Sequence, residues 1–320
     1  MSQKNSKWKY FGIALLLIIV ILGVLIVARG RRGRVEVADD ASQILSDLGD
    51  EIETIGRSWA SIESDLKDLR PVDLTYETSS LNREIEYSKT ARQTITDMKD
   101  ELESIKDSHD DVSNALDDLG DLELLDWHYD YIDLQESILG KDNDRVAKTE
   151  ELLGNLESYY TYSEQFLEGL IANVEMEESL QNGIDEYLEE DYSGAREEFE
   201  NAKDKNSEVE SYVKEASVIM DFSYLDKIET NREDAEEIIE KFIQVCDLVD
   251  QGSYDEASDL YEEADEDYKS LDRLHISDFK TENTNWWTNK ITSVHEAIKE
   301  LTRDIDDLEY DANNLVERNA

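Results

Sequence analysis

The stretch that decides the fold is residues 81–119, LNREIEYSKTARQTITDMKDELESIKDSHDDVSNALDDL. Its apolar positions recur at alternating spacings of four and three, the period that places one stripe along a single face of an α-helix. The stripe consists of Leu81, Ile85, Ser88, Arg92, Ile95, Met98, Leu102, Ile105, His109, Val112, Leu116 and Leu119. This spacing is typical of a coiled coil, so it predicts a long helix that packs against a partner helix.

Two further series have the same spacing. The first covers residues 48–69 and stops before Pro71, because the residue before a proline is pushed out of the α region. The second covers residues 287–315 and follows a polar stretch at 280–285, which we interpret as a linker or a helix N-cap. Striped helices need partners, either one another in an antiparallel bundle or the same stripes of a second subunit. The short break at Pro71 favours an antiparallel hairpin.

The composition agrees with a mostly helical protein. The chain of 320 residues has one proline and 13 glycines, so it has few of the interruptions that sheets and loops require. All 80 acidic residues lie after Arg34, whereas seven of the 32 lysines and arginines lie at or before it. This acidity excludes nucleic acid as a partner. A disordered polyanion is the alternative to a folded protein, but the regular apolar spacing favours the folded one.

The charge balance resembles that of proteins from salt-accumulating archaea. The formal net charge is −48, and a folded chain of this charge repels itself unless salt screens the charges. The screening length falls to about 3 Å at 1 M salt. The resemblance implies a halophilic source, and an ordinary acidic coiled coil is the alternative.

One apolar segment precedes the acidic region. Phe11–Ala28, FGIALLLIIVILGVLIVA, contains no polar side chain, and as a helix it would span about 27 Å, close to the hydrocarbon core of a bilayer. Trp8 and Tyr10 lie where the aromatic belt of a membrane span belongs. A cleaved signal peptide is the alternative, but the apolar run is longer than such peptides usually have. The sequence therefore predicts a single-pass cell-membrane protein.

The orientation of this span depends on its basic flanks. Three lysines and the α-amine precede the span, and four arginines follow it at Arg29, Arg31, Arg32 and Arg34. The arginine cluster is denser, and the chain has no Asn-x-Ser/Thr acceptor for glycosylation. Both observations favour a cytoplasmic C-terminal region over an extracellular one, by a small margin.

Two segments between about residues 180 and 270 share a pattern. They are residues 191–202, DYSGAREEFENA, and residues 253–264, SYDEASDLYEEA. In each, an aromatic residue, Tyr192 or Tyr254, opens a helix whose alanines recur seven residues apart with a larger ring between them. The pattern resembles the turn and second helix of a tetratricopeptide repeat. The resemblance implies stacked helical hairpins that bind other proteins.

The two copies depart from that family in several ways. Gly183 falls where the first helix of such a repeat carries glycine, whereas the second copy has Val245. The copies lie 62 residues apart, which is not a multiple of the family's ~34-residue period. We therefore expect a pair of repeat-like hairpins separated by an extra helix around residues 209–225, and generic amphipathic helices are the alternative.

The fold class predicted from these observations is all-α. One N-terminal transmembrane helix is followed by a long antiparallel coiled-coil or helical-bundle region with repeat-like hairpins. The predicted parts are a short basic tail at 1–10, the transmembrane helix at 11–28, a basic-to-acidic linker at 29–40, a coiled-coil helical hairpin region at 41–140, the repeat-like region at 141–275 and a C-terminal amphipathic helix at 276–320.

No motif for catalysis, a cofactor or a metal ion stands out. His128 has no second histidine three or four positions away, and we place it at a surface or an interface. Cys246 has apolar neighbours and is expected to be a small buried hydrophobe. Trp286 lies one position off the C-terminal stripe, so it either packs against a neighbouring helix or contacts a partner. Tyr192 and Tyr254 are further candidates for partner contact.

These features predict a membrane-anchored, non-enzymatic scaffold or protein-protein interaction protein. Its partners would be the lipid bilayer, through Phe11–Ala28, and an unknown protein, for which an acidic groove would favour a basic ligand. A homo-oligomer stays open. The alternative function is a cell-surface stalk and binding protein that faces outward, and an enzyme is the third class.

Overall fold

The computed structural model describes residues 33–74, 77–122, 126–271 and 276–319, and these residues form an all-α fold. The helices are α1 (Gly33–Leu66), α2 (Thr78–Gly120), α3 (Asp126–Leu188), α4 (Tyr192–Ile219), α5 (Ser223–Asp250), α6 (Tyr254–Ser270), α7 (Ile276–Trp287) and α8 (Ser293–Asn319). A π-helical turn at Thr288–Thr292 joins α7 to α8 without a break. The described residues thus contain seven continuous helical runs packed as helical bundles, and the predicted all-α fold class is confirmed.

The predicted membrane span, Phe11–Ala28, lies outside the described residues, as does the basic tail at 1–10. Within the described ranges, no helix combines the length and the apolar character that crossing a membrane needs. The helix α1 begins at Gly33, so residues 33–40 of the predicted linker are helical.

The described residues group into two compact units. The first unit comprises the described residues up to Arg70, Thr94–Gly154 and the described residues from Asn289 onward; the second unit comprises Pro71–Gln93 and Asn155–Thr288. Each unit draws on several stretches of the chain, and α2 and α3 contribute residues to both. The units therefore do not follow chain order, whereas the predicted parts at 41–140 and 141–275 do.

The core of the first unit joins four helices. One buried cluster takes residues from α1, α2, the first part of α3 and the last part of α8, namely Ala41, Leu45, Leu48, Val112, Leu116, Leu119, Tyr131, Ile132, Ala312 and Val316. The helices α2 and α3 run antiparallel, since Lys106 Nζ lies 2.6 Å from Glu150 Oε1 and His109 Nδ1 lies 2.7 Å from Asn143 Oδ1. The stripes therefore pair with one another within the chain.

The predicted stripe of α2 is buried at every position but one. Arg92 is exposed, and Ala91 takes its place in the core. The arginine instead reaches across to α3, where its Nη1 lies 2.9 Å from Glu164 Oε2. The prediction is wrong at this position because the small alanine fits between the helices, while the guanidinium keeps its contact with water and a carboxylate.

A buried polar cluster interrupts the apolar core of the first unit. His109 Nε2 lies 2.7 Å from Asp142 Oδ2, and the indole Nε1–H of Trp59 donates to the same oxygen at 3.1 Å. Arg145 pairs with the other carboxylate oxygen and lies 3.9 Å over the Trp59 ring. Burial alone would raise the pKa of Asp142, but the His109 hydrogen bond and the Arg145 charge hold it below its ordinary value. Removing one member would leave a buried charge without compensation.

The end of α1 differs from the prediction. The helix α1 ends at Leu66, four residues before Arg70, and the chain continues in an irregular segment. This early exit lets Val72 and Leu74 reach the core, where they are 5% and 2% exposed. The backbone N–H of Val72 donates to the phenolic oxygen of Tyr159 at 3.0 Å, so the segment is fixed by packing and by a hydrogen bond.

The predicted extra helix at 209–225 and the predicted linker or N-cap at 280–285 are both wrong. The buried face of α4 continues through Val209 and Val213 to Ala216 at helical spacing, so α4 extends to Ile219 and only a short break separates it from α5. The polar stretch at 280–285 lies inside α7. One buried face, with Phe279 and Asn283 one turn apart, is sufficient to hold this polar segment in a helix.

Candidate protein-interaction surface

The second unit contains two helical hairpins, and both close with the same backbone turn. The first hairpin consists of the end of α3 and α4. In its turn, the Asp191 N–H donates to the Glu186 carbonyl at 3.0 Å, and the Glu190 N–H donates to the Tyr187 carbonyl at 3.1 Å. This pair of reversed bonds is the Schellman motif, which satisfies carbonyls at the end of a helix.

The second hairpin consists of α5 and α6. Its turn repeats the motif, since the Ser253 N–H donates to the Leu248 carbonyl and the Gly252 N–H donates to the Val249 carbonyl, both at 2.9 Å. Every bond of the second turn lies 62 residues after its counterpart in the first. The sequence match between the two segments therefore corresponds to one shared local structure.

The two turns differ in the residue that reverses the chain. This position has a left-handed backbone in both, with φ of 67° at Glu190 and 75° at Gly252. Glycine adopts such a φ without penalty, whereas a residue with a Cβ is held there at a cost of ~1 kcal/mol or more. The first turn thus has a carboxylate, that of Glu190, at the position where the second turn has Gly252, the residue that this backbone conformation favours.

The turns also differ in how the following helix is capped. The side chain of Asp191 accepts a hydrogen bond from the Gly194 N–H at 3.1 Å, which caps α4. Ser253, the equivalent residue, makes no such bond at the start of α6. The first turn therefore combines a strained residue with a good cap.

Close packing in the first hairpin depends on Gly183. A Cβ at this position would lie 2.6 Å from Cε1 of Phe199, so the ring rests directly on the α3 backbone. Phe199 also stacks on Phe242 of α5, with ring centroids 4.8 Å apart and 10° between the planes. Ala195 and Ala202 flank the ring and are fully buried. Small residues thus let the helices approach while one ring fills the space between them.

A tyrosine occupies the equivalent position in the second hairpin. Tyr261 is half-buried and stacks on Tyr187, with ring centroids 4.5 Å apart and 12° between the planes. Tyr187 in turn meets the edge of Tyr192 at 5.4 Å. Both Tyr187 and Tyr192 pack against a small buried cluster that contains Val249. The first residues of α4 therefore contact the end of the second hairpin.

Both turns lie at the same end of the second unit. The helices α4 and α5 are antiparallel, because Arg196 in the second turn of α4 binds Asp247 at 2.5 Å and Asp250 at 3.1 Å near the end of α5. We call residues 188–192 and 250–254 the hairpin tip. Two large apolar side chains are exposed there, Leu188 at 65% and Tyr254 at 64%.

Carboxylates surround the hairpin tip. Burial, followed by the negative charges of Glu198, Asp191 and Glu197, raises the pKa of Glu186 above its ordinary value. Arg196 is the only basic residue in the segment 181–200, and Asp247 and Asp250 already bind it. The hairpin tip therefore presents apolar side chains within a strongly negative surface.

The structure brings together two of the three predicted partner-contact residues. Tyr192 and Tyr254 both belong to the hairpin tip, where Tyr192 is half-buried and Tyr254 is exposed. Trp286 lies elsewhere, half-buried, with its ring stacked on Tyr159 at 5.5 Å. Tyr159 precedes Leu188 by 29 residues of α3, which is about 40 Å along a helix.

Sequence reasoning missed Leu188 and Glu190. Neither residue lies in the two matched segments, which begin at Asp191 and Ser253. Extending the match backwards by one residue would have paired Glu190 with Gly252, and a glycine next to a helix end is a known signal for a left-handed position. The exposure of Leu188 carries no such signal, because it depends on packing.

The structure also places the two residues considered for chemistry. His128 is buried and stacks on Trp127 at 3.8 Å, so of its two predicted places, a surface or an interface, the surface is wrong. Cys246 is fully buried, which confirms that prediction, and burial raises the pKa of its thiol to about 11. Among the described residues, no group of three His, Cys, Asp or Glu side chains is arranged to hold a metal ion.

Comparison with known proteins finds no match. No family model, no curated protein and no solved structure is significantly similar to this chain. The likeness to tetratricopeptide repeats therefore stays a prediction from the sequence pattern.

Proposed function

We propose that the protein is a membrane-anchored, non-enzymatic scaffold that binds other proteins through its acidic helical region. The observation that carries the proposal is the hairpin tip, where Leu188 and Tyr254 are exposed among carboxylates. Single exposed apolar side chains are ordinary on a protein surface, whereas two large ones at one end of a unit, next to the apolar cluster of Tyr192 and Val249, are typical of an interaction site.

The packing of the two hairpins supports the likeness to tetratricopeptide repeats. Ala195, Ala202, Ala257 and Ala264 are each at most 1% exposed, as the close approach of repeat helices requires. The ring of Phe199 fills the space between helices, again as that resemblance implies. Stacked hairpins of this kind present several helix faces and turns to a partner.

The first unit supports the anchoring part of the proposal. Its helix α1 begins five residues after the predicted span Phe11–Ala28 ends. The helices α1, α2, α3 and α8 share one core there. A four-helix bundle of this kind is a stable base for a unit that must be held at a membrane, and in our proposal it connects the anchor to the interacting hairpins.

The membrane orientation can be tested with the chain's own cysteine content. Cys246 is the only cysteine, and its buried, protonated thiol is unreactive toward maleimides at neutral pH. The wild-type chain, in which Cys246 is not labelled, is therefore the background for two variants with one added cysteine each, Ser2→Cys and Asn319→Cys. With a membrane-impermeant maleimide on intact cells, we expect labelling at position 2 and none at position 319 until the cells are lysed.

Labelling at position 319 on intact cells would instead support the cell-surface stalk and binding protein. Equal labelling of both positions in a soluble fraction would contradict membrane anchoring. The two variants differ from wild type only at terminal residues, so a folding defect is not expected to confuse the result.

The binding part of the proposal is tested by chemical crosslinking in cells that make the full chain at its natural level. A scaffold predicts a small set of crosslinked proteins at fixed lysines of the helical region, retained after the membrane is dissolved in detergent. Recovery of the chain without any crosslinked protein would contradict the scaffold, as would a defined catalytic turnover by the purified protein.

A further inference from the structure

We propose that the hairpin tip is a docking surface for a cationic amphipathic segment of another protein. This inference rests on the proposed function and adds to it the site and the chemistry of the partner. The segment would bear lysines or arginines around a few large apolar side chains. It would contact the α3–α4 and α5–α6 turns together.

Exposed apolar side chains mark the hairpin tip. Five large apolar residues are exposed among the described residues, and two of them, Leu188 and Tyr254, belong to the hairpin tip. Tyr192 and Tyr187 extend this area inward, because they pack on the cluster that contains Val249. A partner that covers the tip would therefore continue an existing apolar cluster.

The negative charge at the hairpin tip selects a cationic partner. Arg196 is bound by Asp247 and Asp250, so the remaining carboxylates near the tip face water without a basic residue of the segment 181–200 to balance them. Burial, followed by the nearby negative charges of Glu198 and Asp191, already raises the pKa of Glu186. A cationic segment would relieve this repulsion, whereas an anionic surface would add to it.

The same charges argue against a second copy of this chain as the occupant. A second copy carries the same acidic tip and a formal net charge of −48. Docking two tips would bring like charges together, which disfavours binding at any salt concentration that leaves them unscreened. The ring of Tyr254 has a further preference for a cation, since an arginine or a lysine binds over its face.

Glu190 agrees with this assignment. It holds a carboxylate at the tip in a left-handed conformation, where the second turn has Gly252. A glycine at position 190 would fit the backbone better, so the carboxylate is retained at the expense of local stability. A cationic partner would form an ion pair with that carboxylate, whereas the fold itself does not need it.

The test uses the full-length chain in nanodiscs of zwitterionic lipid, with empty nanodiscs as the background. The probe is an 18-residue helical peptide of leucine and lysine that carries a fluorescent label and one photo-crosslinking residue. Its control is the same peptide with glutamate in place of lysine. Fluorescence anisotropy gives the affinity, and mass spectrometry of the irradiated complex gives the site.

We expect the double variant Leu188→Ser/Tyr254→Ser to weaken binding of the lysine peptide about tenfold, since two apolar contacts are lost. The matched control is Val218→Ser, because Val218 is 87% exposed on the same unit but lies near the far end of α4. This control should leave the affinity unchanged. Crosslinks of the wild-type chain should map to the hairpin tip.

The charge is tested at single positions. Glu190→Gly and Glu190→Gln should each weaken binding about two- to threefold, the size of one surface ion pair, while the glycine variant becomes no less stable. Glu200→Gln, on the exposed face of α4, is the control and should not change the affinity. The glutamate peptide should not bind.

Several results would overturn the inference. Equal affinity of the double variant and wild type, or crosslinks spread over the helical region, would show that the tip is not the site, and binding of the glutamate peptide would show that the partner is not selected by positive charge. If cellular crosslinking still finds partners at other positions, the scaffold proposal stands and only the tip fails. If the lysine peptide does not bind and cellular crosslinking finds no protein, both proposals fail.

Discussion

The two hairpins of the second unit share a turn but are filled differently. In the first, Gly183 leaves room for Phe199 against the α3 backbone, and the ring is fully buried. In the second, Val245 lies at the equivalent position, and Tyr261 is half-buried with its ring stacked on that of Tyr187. Gly183 therefore lets the ring of Phe199 pack directly on the backbone of α3, whereas the ring of Tyr261 packs on the side chain of Tyr187.

The two hairpins also differ in their caps, in the strain of their turns and in the exposure of their aromatic residues. The first hairpin has the tighter core and the better cap, at Asp191, but it also carries the strained residue, Glu190. The second has the relaxed turn, at Gly252, and the more exposed aromatic residue, Tyr254. Strain and exposure both lie at the hairpin tip, away from the packed rings.

The largest expected effect is the loss of the ring itself. Phe199→Ala should lower the free energy of unfolding by about 3–5 kcal/mol, because it empties a fully buried site between three helices. Tyr261→Ala should cost less, since that ring is only partly buried. Thermal unfolding followed by circular dichroism compares the two variants, and equal losses would contradict the difference in burial.

The next effect tests Gly183 directly. Gly183→Ala should lower the free energy of unfolding by about 1–3 kcal/mol, because its methyl group meets Phe199 Cε1 at 2.6 Å in a packed core. Gly140→Ala in α3 is the matched control, since a Cβ there meets no atom within 4 Å. The control should raise the free energy of unfolding by about 0.5–1 kcal/mol, as alanine favours the helix. Destabilisation of both variants alike would remove the role of Phe199.

Exchange at the left-handed position gives a smaller pair of effects with opposite signs. Glu190→Gly should raise the free energy of unfolding by about 1 kcal/mol, because it relieves a conformation that a Cβ disfavours. Gly252→Ala should lower it by about the same amount. Chemical denaturation of both variants tests the pair. If Glu190→Gly is destabilising instead, the carboxylate contributes to folding.

The smallest effect concerns pH. The folded-state pKa of Glu186 is raised, so folding favours its protonated form, and stability should rise as the pH falls from neutral toward the ordinary glutamate value. Glu186→Gln should remove this increment and stabilise the first hairpin slightly at neutral pH. The melting temperatures of both proteins at pH 7 and pH 5 measure the effect. Leu248, the equivalent residue of the second hairpin, has no charge to titrate.

Much of the fold follows from local patterns in the sequence. The heptad stripe of residues 81–119 predicts α2 almost to its ends, and the alanines at 195, 202, 257 and 264 are buried as expected. These predictions succeed because helical periodicity and small-residue spacing are properties of neighbouring positions.

The rest depends on long-range packing that no local pattern records. The polar stretch at 280–285 is helical because Phe279 and Asn283 face a core built by distant residues. The two compact units interleave stretches of the chain, and His128 is buried although Asp126 and Asp130, two positions to either side of it, are exposed. For the candidate site, Tyr192 and Tyr254 are predictable from their repeated context, whereas Leu188 is exposed through the geometry of the tip.

The most direct test of the proposed interaction places a photo-crosslinking amino acid at position 254, or at position 218 as the control, in the full-length chain in living cells. Both side chains are exposed on the same unit, at 64% and 87%. Our account predicts a discrete crosslinked protein from position 254, joined through a lysine- or arginine-rich segment, and none from position 218. The same products from both positions, or none from position 254, would contradict it.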